Sequence, residues 1–182
     1  PHARIVRSGG PVTIGEENRH VIRRCVVNKK EVGAMYQKIL VPLDGSKRAE
    51  RILPHVEELA RRYNAKVIFL QVVEYKAVPT TEGAFINLSD QELDQAKKQA
   101  EAHLAGIQGE FREKNIESRT HVTYGPVVEG IINLAAQEGV DLIALASHGR
   151  GGLSRVFYGS VAAGLLHRVD RPLLIIRSRN SE

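Results

Sequence analysis

The strongest signal for chemistry is a glycine-punctuated segment in the last third of the chain. It reads Ala146-Ser147-His148-Gly149, followed by nine residues and then Gly159-Ser160. A short apolar strand is predicted to end at Ala146, and a helix is predicted to begin at Gly159-Ser160. Glycines allow a backbone to approach a ligand closely, and the first N–H groups of a helix favour negative charge. The segment therefore predicts a phosphate site with Arg150 as a candidate partner, and the alternative is a surface loop without a ligand.

A second candidate segment, Pro42-Leu43-Asp44-Gly45-Ser46, follows the first predicted strand. A carboxylate at a strand end suits a ribose hydroxyl or a metal-bound water, and the alternative for Asp44 is a helix-entry cap near Ser46. In open parallel sheets, ligands bind beyond the carboxyl ends of the strands, where the strand order reverses. The two segments face each other across one crevice if the first and fourth strands are neighbours, which the sequence alone leaves open.

Several well-known site motifs are absent from the sequence. A Walker A loop requires a Lys before Ser160, and the dinucleotide fingerprint begun by Gly149-Arg150-Gly151 has Ser154 at its sixth position. The histidines beyond the N-terminal segment stand singly, without the spacing of metal ligands, and no nucleophile–base pair is visible. The residues therefore indicate no catalytic group, and the histidine spacing identifies no metal ligands.

Alternating strand and helix patterns must position the two segments. A nearly unbroken apolar run, as at Lys66–Val73, is typical of a strand buried on both faces. Ser89 with Glu92 forms a capping-box signature, Gly139 is predicted to end a helix, and Pro54 predicts a kink or late start in the helix after Ser46. The alternation predicts an α/β fold, an open parallel sheet with helices on both faces. The five predicted strands are Tyr36–Leu43, Lys66–Val73, Ile116–Tyr124, Asp141–Ala146 and Pro172–Arg177, and Glu74–Leu88 is predicted to be a long irregular connection.

The charge distribution separates residues 1–34 from the rest of the chain. These residues hold seven Lys or Arg against three Glu, which leaves +4 of the total +5. We interpret them as an N-terminal extension added by cloning or by translation from an upstream start, with a native extension as the alternative. Residues 35–182 are the predicted domain and carry only +1 with scattered charges. This near neutrality argues against nucleic-acid binding, which concentrates positive charge on a folded face.

Composition also bears on the environment of the protein. No apolar run approaches the roughly 20 residues of a membrane helix, so we expect no membrane partner. The single cysteine, Cys25, excludes an intramolecular disulfide. A reducing, cytoplasmic location is therefore the expected one.

Taken together, these motifs make residues 35–182 resemble the universal stress protein family. Met35 to Ser46 (MYQKILVPLDGS) is similar to the start of the family, and Arg171 to Ile176 is similar to its final strand. The ATP-binding branch of that family is marked by Gly, two residues, Gly, nine residues and then Gly-Ser or Gly-Thr. The spacing is intact here, but Ala146 replaces the first glycine. Alanine costs about 1 kcal/mol if that position needs a positive φ, and almost nothing if it needs only a small side chain.

The resemblance implies a five-stranded, Rossmann-like sheet of the adenine-nucleotide α-hydrolase-like type, with the first and fourth strands adjacent. It also implies a homodimer joined through strand 172–177, and bound ATP, with Mg²⁺. By position, Asp44 would contact the ribose region. The adenine pocket would be lined by Pro42, Leu43 and Val72. The phosphates would be surrounded by Ala146, Gly149, Arg150, Gly159, Ser160 and Val161.

Three functional hypotheses follow from these observations. The first is an ATP-binding regulatory or protective protein of the stress response, which has no catalytic residues. The second is a slow ATP hydrolase or nucleotide-transfer enzyme, against which the missing general base counts. The third is a dimeric interaction module without nucleotide, which the replacement of glycine by Ala146 favours.

Overall fold

The structure is a computed structural model that describes residues 35–74, 78–79, 85–86, 89–148 and 159–178. The extension of residues 1–34, together with Gly149 and Arg150, lies outside the described residues, and what the sequence predicts of them stays a prediction. The elements in chain order are β1 (Lys38–Leu43), a 3-10 helix (Ala49–Ile52), α1 (Leu53–Tyr63), β2 (Lys66–Val73), β3 (Val78–Pro79), β4 (Phe85–Ile86), α2 (Asp90–Glu113), β5 (Ser118–Tyr124), α3 (Val127–Glu138), β6 (Leu142–His148), α4 (Ser160–Leu166) and β7 (Leu173–Ser178).

Five of these strands form one parallel sheet with the order β5-β2-β1-β6-β7. β1 pairs with β2 from Lys38↔Lys66 to Leu43↔Gln71, and on its other side with β6 at Ile39↔Leu142 and Leu40↔Ile143. The predicted α/β fold is therefore confirmed, and the first and fourth predicted strands are neighbours. The chain reverses its direction of winding between β1 and β6, which is where ligands bind in such sheets.

Helices cover both faces of the sheet because successive strand residues point to opposite sides. On one face, Ile39 and Val41 of β1 pack with α1 and with Phe111 of α2. On the other face, Leu40 of β1 packs with α3 and with Leu165 of α4. These core residues are at most a few per cent exposed, so the central strands are buried on both sides, as their apolar runs predict.

The helix ends follow the local sequence signals. The Ser89 side chain accepts a hydrogen bond from the Glu92 N–H, and the Glu92 carboxylate accepts one from the Ser89 N–H, which completes the predicted capping box. Pro54 lies in the first turn of α1, so the α-helix starts late, after the 3-10 helix. Gly139 ends α3 with a φ of 59°, a left-handed conformation that glycine adopts without steric cost.

Some predicted boundaries are wrong. The connection between β2 and α2 is not irregular throughout, because Val78–Pro79 and Phe85–Ile86 pair as short antiparallel strands. β1 begins at Lys38 rather than at Tyr36, whose ring instead packs edge-on against Tyr63 with centroids 5.3 Å apart. Within the described ranges, no helix is long and apolar enough to cross a membrane.

Candidate functional site

A cavity of about 120 Å³ lies at the carboxyl end of β1 and β6, at the point where the strand order reverses. Its walls come from the end of β1, from the end of β6, and from the first residues of α3 and α4. The lining residues are Pro42, Leu43, Asp44, Ala49, Val127, Leu145, Ala146, Ser147, Gly159, Ser160, Val161 and Ala162. Described residues from both segments that the sequence singles out therefore line one cavity.

Seven of the ten predicted site residues are in this lining. They are Pro42, Leu43, Asp44, Ala146, Gly159, Ser160 and Val161. Val72 is not among the lining residues. It packs on the α3 side of the sheet, close against Gly130 of α3, where a Cβ on residue 130 would lie 3.0 Å from Val72 Cγ2. The remaining two, Gly149 and Arg150, lie outside the described residues.

The loop after β1 is held by its own polar side chains. Asp44 Oδ1 accepts hydrogen bonds from the Ser46 N–H, at 2.9 Å, and from the Ser46 hydroxyl. The Ser46 Oγ in turn accepts one from the Ala49 N–H at 3.1 Å and so caps the 3-10 helix. Gly45 between them has a φ of 79°, where a side chain would be strained. Oδ1 thus orders the turn, and Oδ2 lies 3.8 Å from the Arg48 guanidinium. A ribose contact through Asp44 stays a prediction.

The backbone conformation at Ala146 shows whether alanine is strained at the position where the family motif has its first glycine. Ala146 lies inside β6 and pairs with Ile176 of β7. Among the described non-glycine residues, only Asn64 and Asn115 have a positive φ, so the φ of Ala146 is not positive. The position therefore does not need a left-handed backbone in this structure, and alanine occupies it without that strain.

A further part of the cavity lining comes from the first turn of α4. Gly159 is the N-cap, with φ of −56° and ψ of 158°, and provides no side-chain cap. The first intrahelical bond runs from Ala163 N–H to the Gly159 oxygen. The N–H groups of Ser160 and Val161, which precede it, therefore have no acceptor within the helix. They provide donors at the cavity wall, beside the exposed Ser160 side chain.

Close packing sets the position of this short helix. A Cβ added to Gly164 would come within 2.8 Å of Val128 Cγ2 on α3, so glycine allows the two helices to approach. Arg168, just beyond α4, also forms an ion pair at 2.5 Å with Glu129 of α3. These contacts join α4 to α3 and bring Ser160 and Val127 to the same cavity.

The sequence did not single out five of the lining residues. They are Ala49, Val127, Leu145, Ser147 and Ala162. Four of them are apolar, and an apolar residue in a predicted helix or strand gives no signal that separates a site residue from a core residue. Ser147 is different, because it is the buried polar residue of the described core at 6% exposure. A serine at the end of an apolar strand, next to the motif position Ala146, was the available signal.

The described lining residues offer groups that suit recognition of a ligand. Among the described lining residues, Asp44 is the one with a titratable side chain. The described residues also contain no group of three His, Cys, Asp or Glu side chains that could hold a metal ion. The cavity offers one carboxylate, two hydroxyls, the backbone donors of α4 and an apolar floor, which suit a ligand with both an apolar ring and anionic groups.

Known proteins resemble this chain over nearly the whole described region. Universal stress protein MJ0577 of Methanocaldococcus jannaschii is 28% identical over 162 residues, which cover 82% of this chain and 100% of that protein. Universal stress protein YxiE of Bacillus subtilis is 28% identical over 148 residues, covering 79% and 100%. The solved structure of MJ0577 superimposes with a TM-score of 0.68 and covers 81% of this chain and 99% of that one.

A more distant structure shares the fold. It is the universal stress protein from Archaeoglobus fulgidus in complex with dAMP, which is 21% identical, with a TM-score of 0.53 and coverage of 78% and 98%. The sequence model of the family described as "Universal stress protein family" matches residues 35–177. This range includes β1, both segments of the cavity and nearly all of β7. The chain therefore belongs to the universal stress protein family.

Proposed function

We propose that this protein binds ATP, with Mg²⁺, in the cavity at the carboxyl end of β1 and β6. The observation that carries the proposal is that Asp44 and the uncapped first turn of α4 line the same cavity. A carboxylate recognises ribose hydroxyls, whereas free backbone N–H groups recognise phosphate oxygens. The two features at one crevice match the two polar parts of a nucleotide.

Each part of the nucleotide has a proposed partner. Pro42 and Leu43 contact the adenine, together with Val72, and Asp44 Oδ2 contacts the ribose. Ala146 leaves space for the phosphates, which Gly159, Ser160 and Val161 bind with Gly149 and Arg150. The cavity volume of about 120 Å³ is smaller than the ~300–1,000 Å³ of typical ligand pockets, so these walls enclose one part of the nucleotide.

Mg²⁺ enters the site with the phosphates in this proposal. Magnesium keeps several waters and is often held by one carboxylate together with substrate phosphates. A single lining carboxylate, Asp44, fits that pattern, whereas an all-protein metal cage would need more acidic side chains than the described lining contains.

The proposed role is regulatory or protective in the stress response, in the cytoplasm, rather than catalytic. Nucleotide binding would alter a surface that partner proteins read. We further propose a homodimer joined through β7. This strand lies at one end of the sheet order, and its residues Leu173 to Ile176 are all apolar and half-buried, which suits pairing with a second copy.

The test begins with nucleotide that copurifies with the protein. Freshly purified protein is denatured, and the released small molecules are separated by anion exchange and identified by mass. ATP or ADP near one per chain supports the proposal. If none is found, titration with Mg-ATP decides, and the absence of binding at millimolar Mg-ATP contradicts the proposal and favours the nucleotide-free interaction module.

Hydrolysis is tested separately from binding. Turnover above a mock-purified control that disappears in both Asp44→Ala and Ser160→Ala would support the slow hydrolase. Binding with no such turnover is the result expected here, since the described lining contains no second acid or base.

A further inference from the structure

Ser147 places a polar side chain in an otherwise apolar part of the cavity lining. The residue belongs to β6, pairs with Arg177 of β7 and lines the cavity. It is only 6% exposed, in a described core whose other buried residues are hydrophobic. The cavity is therefore the space that this serine adjoins, rather than the open surface of the protein.

The alternation of β6 shows to which side of the sheet the Ser147 side chain points. Successive strand residues face opposite sides, so Ser147 shares the side of Leu145, whereas Ala146 faces the other side. Leu145 packs with Ala162 of α4 and with Val127 of α3, and these three residues also line the cavity. The Ser147 side chain thus points to the side of the cavity that α3 and α4 cover.

The Ser147 hydroxyl has no hydrogen-bond partner among the residues that the structure describes. A hydroxyl removed from water without a partner costs free energy, because its bonds to water are not replaced. Native proteins satisfy nearly all of their buried polar groups, so each exception requires an explanation. At the wall of a cavity, a ligand group that completes the hydrogen bond provides one.

A second serine serves as a matched control. Ser118 Oγ on β5 is also buried and has no hydrogen-bond partner in the described parts of the chain. The Ser118 oxygen of the main chain accepts a hydrogen bond from Gln108 Nε2 at 2.8 Å, and the residue is not in the cavity lining. Ser147→Ala and Ser118→Ala therefore remove the same atom from two strands of one sheet, at the cavity and away from it.

The neighbours of Ser147 indicate which part of a nucleotide its hydroxyl would meet. Its side chain points to the side of the sheet where α4 lies, and Gly159 and Ser160 at the start of α4 also line the cavity. Asp44, the proposed ribose partner, belongs instead to the loop after β1. A hydroxyl donates one hydrogen, and its bond is stronger when the acceptor is an anionic oxygen such as that of a phosphate.

We propose that the Ser147 hydroxyl donates a hydrogen bond to a phosphate oxygen of the bound nucleotide. Ser147 is then a specificity-determining residue, because a ligand without phosphate leaves this buried hydroxyl unpaired. The proposal rests on the proposed function and adds a side-chain donor to it. It also predicts that the hydroxyl contributes to nucleotide affinity and contributes nothing to the stability of the nucleotide-free protein.

The first experiment measures stability without nucleotide. Urea unfolding is compared for the nucleotide-free wild type, Ser147→Ala and Ser118→Ala. Both substitutions remove a hydroxyl that has no described partner, so the urea midpoint of Ser147→Ala should be no lower than that of Ser118→Ala. A lower midpoint for Ser147→Ala would show that its hydroxyl already has a partner within the protein, which refutes the proposal.

The second experiment measures affinity. In calorimetric titration with Mg-ATP, Ser147→Ala should bind about tenfold more weakly than the wild type, as expected for the loss of a hydrogen bond to a charged group. Ser118→Ala should bind within about twofold of the wild type. Adenosine, titrated by NMR at millimolar concentration, should bind to the wild type and to Ser147→Ala with equal affinity.

The results separate failure of this contact from failure of the proposed function. Folded Ser147→Ala that binds Mg-ATP as tightly as Ser118→Ala refutes the contact and leaves nucleotide binding in place. An equal loss of affinity for adenosine and for Mg-ATP refutes phosphate as the group that Ser147 contacts. A wild type that binds no nucleotide refutes the proposed function and the phosphate contact with it.

Discussion

Gly159→Glu tests the phosphate site most directly, because it adds a negative charge to the cavity without disturbing the backbone. Gly159 has φ of −56° and ψ of 158°, which any residue adopts, so its substitution requires no left-handed conformation. The residue is also the N-cap of α4, and a carboxylate near a helix N-terminus is favourable. The variant is therefore expected to fold.

The size of the effect follows from charge repulsion. A carboxylate about 5 Å from a phosphate charge, at an effective dielectric constant of about 20, costs about 3 kcal/mol. Since about 1.4 kcal/mol corresponds to a factor of ten, this weakens Mg-ATP binding by about two orders of magnitude for each phosphate charge at that distance. Bound Mg²⁺ neutralises part of the phosphate charge, so the repulsion is smaller than the sum over all phosphate charges. We therefore expect Mg-ATP affinity to fall by at least about 100-fold.

Isothermal titration calorimetry with Mg-ATP measures this loss, and circular dichroism with urea unfolding checks the fold. Gly159→Ala is the matched control, because it fills the same backbone position without charge and should bind much more strongly than Gly159→Glu. A folded Gly159→Glu protein that binds Mg-ATP within about threefold of the wild type would falsify the phosphate assignment at α4.

Three further predictions concern stability, pH and assembly. Phe69→Ala should lower the free energy of unfolding by about 3–5 kcal/mol, because Phe69 is fully buried and stacks edge-on against Phe111 with centroids 5.0 Å apart; an unchanged urea midpoint would contradict this. The hydrogen bond from Lys114 lowers the pKa of Glu57 from 4.5, so the ionised carboxylate stabilises the fold above about pH 4.5 and this contribution is lost as the pH falls through the lowered value. The stability difference between wild type and Glu57→Gln, measured by urea unfolding at pH 7 and pH 3, should therefore shrink at the lower pH, and a constant difference would rule out this ion pair as its source. The Ile143 N–H donates to the Pro172 oxygen. In a parallel ladder this register places the N–H groups of alternate β7 residues, including that of exposed Arg177, at the open edge of the sheet. Arg177→Pro, unlike Arg177→Ala, should therefore shift the mass measured by light scattering from dimer to monomer, and equal masses would argue against pairing through β7.

The sheet was predictable because its signals are local. Each of the five strands lies within two residues of its predicted bounds at either end, since apolar runs flanked by polar residues and helix signals mark strands buried on both faces. The capping box at Ser89 and the helix end at Gly139 depend on a few neighbouring residues as well. The two cavity segments were found because strand ends in a parallel sheet share one edge.

Features that depend on contacts between distant residues were not predictable in this way. Nothing near His103 in the sequence indicates that it contacts Glu50 and Gln71, which lie 53 and 32 residues away. Ser147 has no local signal of a site residue beyond its place next to Ala146, and its burial at the cavity appears only in the folded structure. The pairing of Val78–Pro79 with Phe85–Ile86 was not predicted, because two-residue strands are too short to show an alternation of apolar and polar residues.

Alanine replaces the first glycine of the family motif at position 146 without backbone strain. A glycine is strongly favoured where φ is positive, but Ala146 is an ordinary residue of β6, paired with Ile176. What remains is a limit on size, because the half-buried side chain lines the cavity between Leu145 and Ser147. The alanine therefore gives no reason to exclude this chain from the nucleotide-binding branch of its family.

Two substitutions at position 146 should differ in their effect on nucleotide binding. Ala146→Gly should leave Mg-ATP affinity within about twofold while destabilising the strand by roughly 0.5–1 kcal/mol, because glycine has more backbone entropy to lose. Ala146→Val should reduce affinity by about tenfold, since two added methyl groups enter the cavity, although valine suits a strand. Calorimetric titration of both variants, with urea unfolding, separates size from conformation. A gain in affinity above fivefold in Ala146→Gly would mean that the bound state requires a backbone conformation that alanine resists.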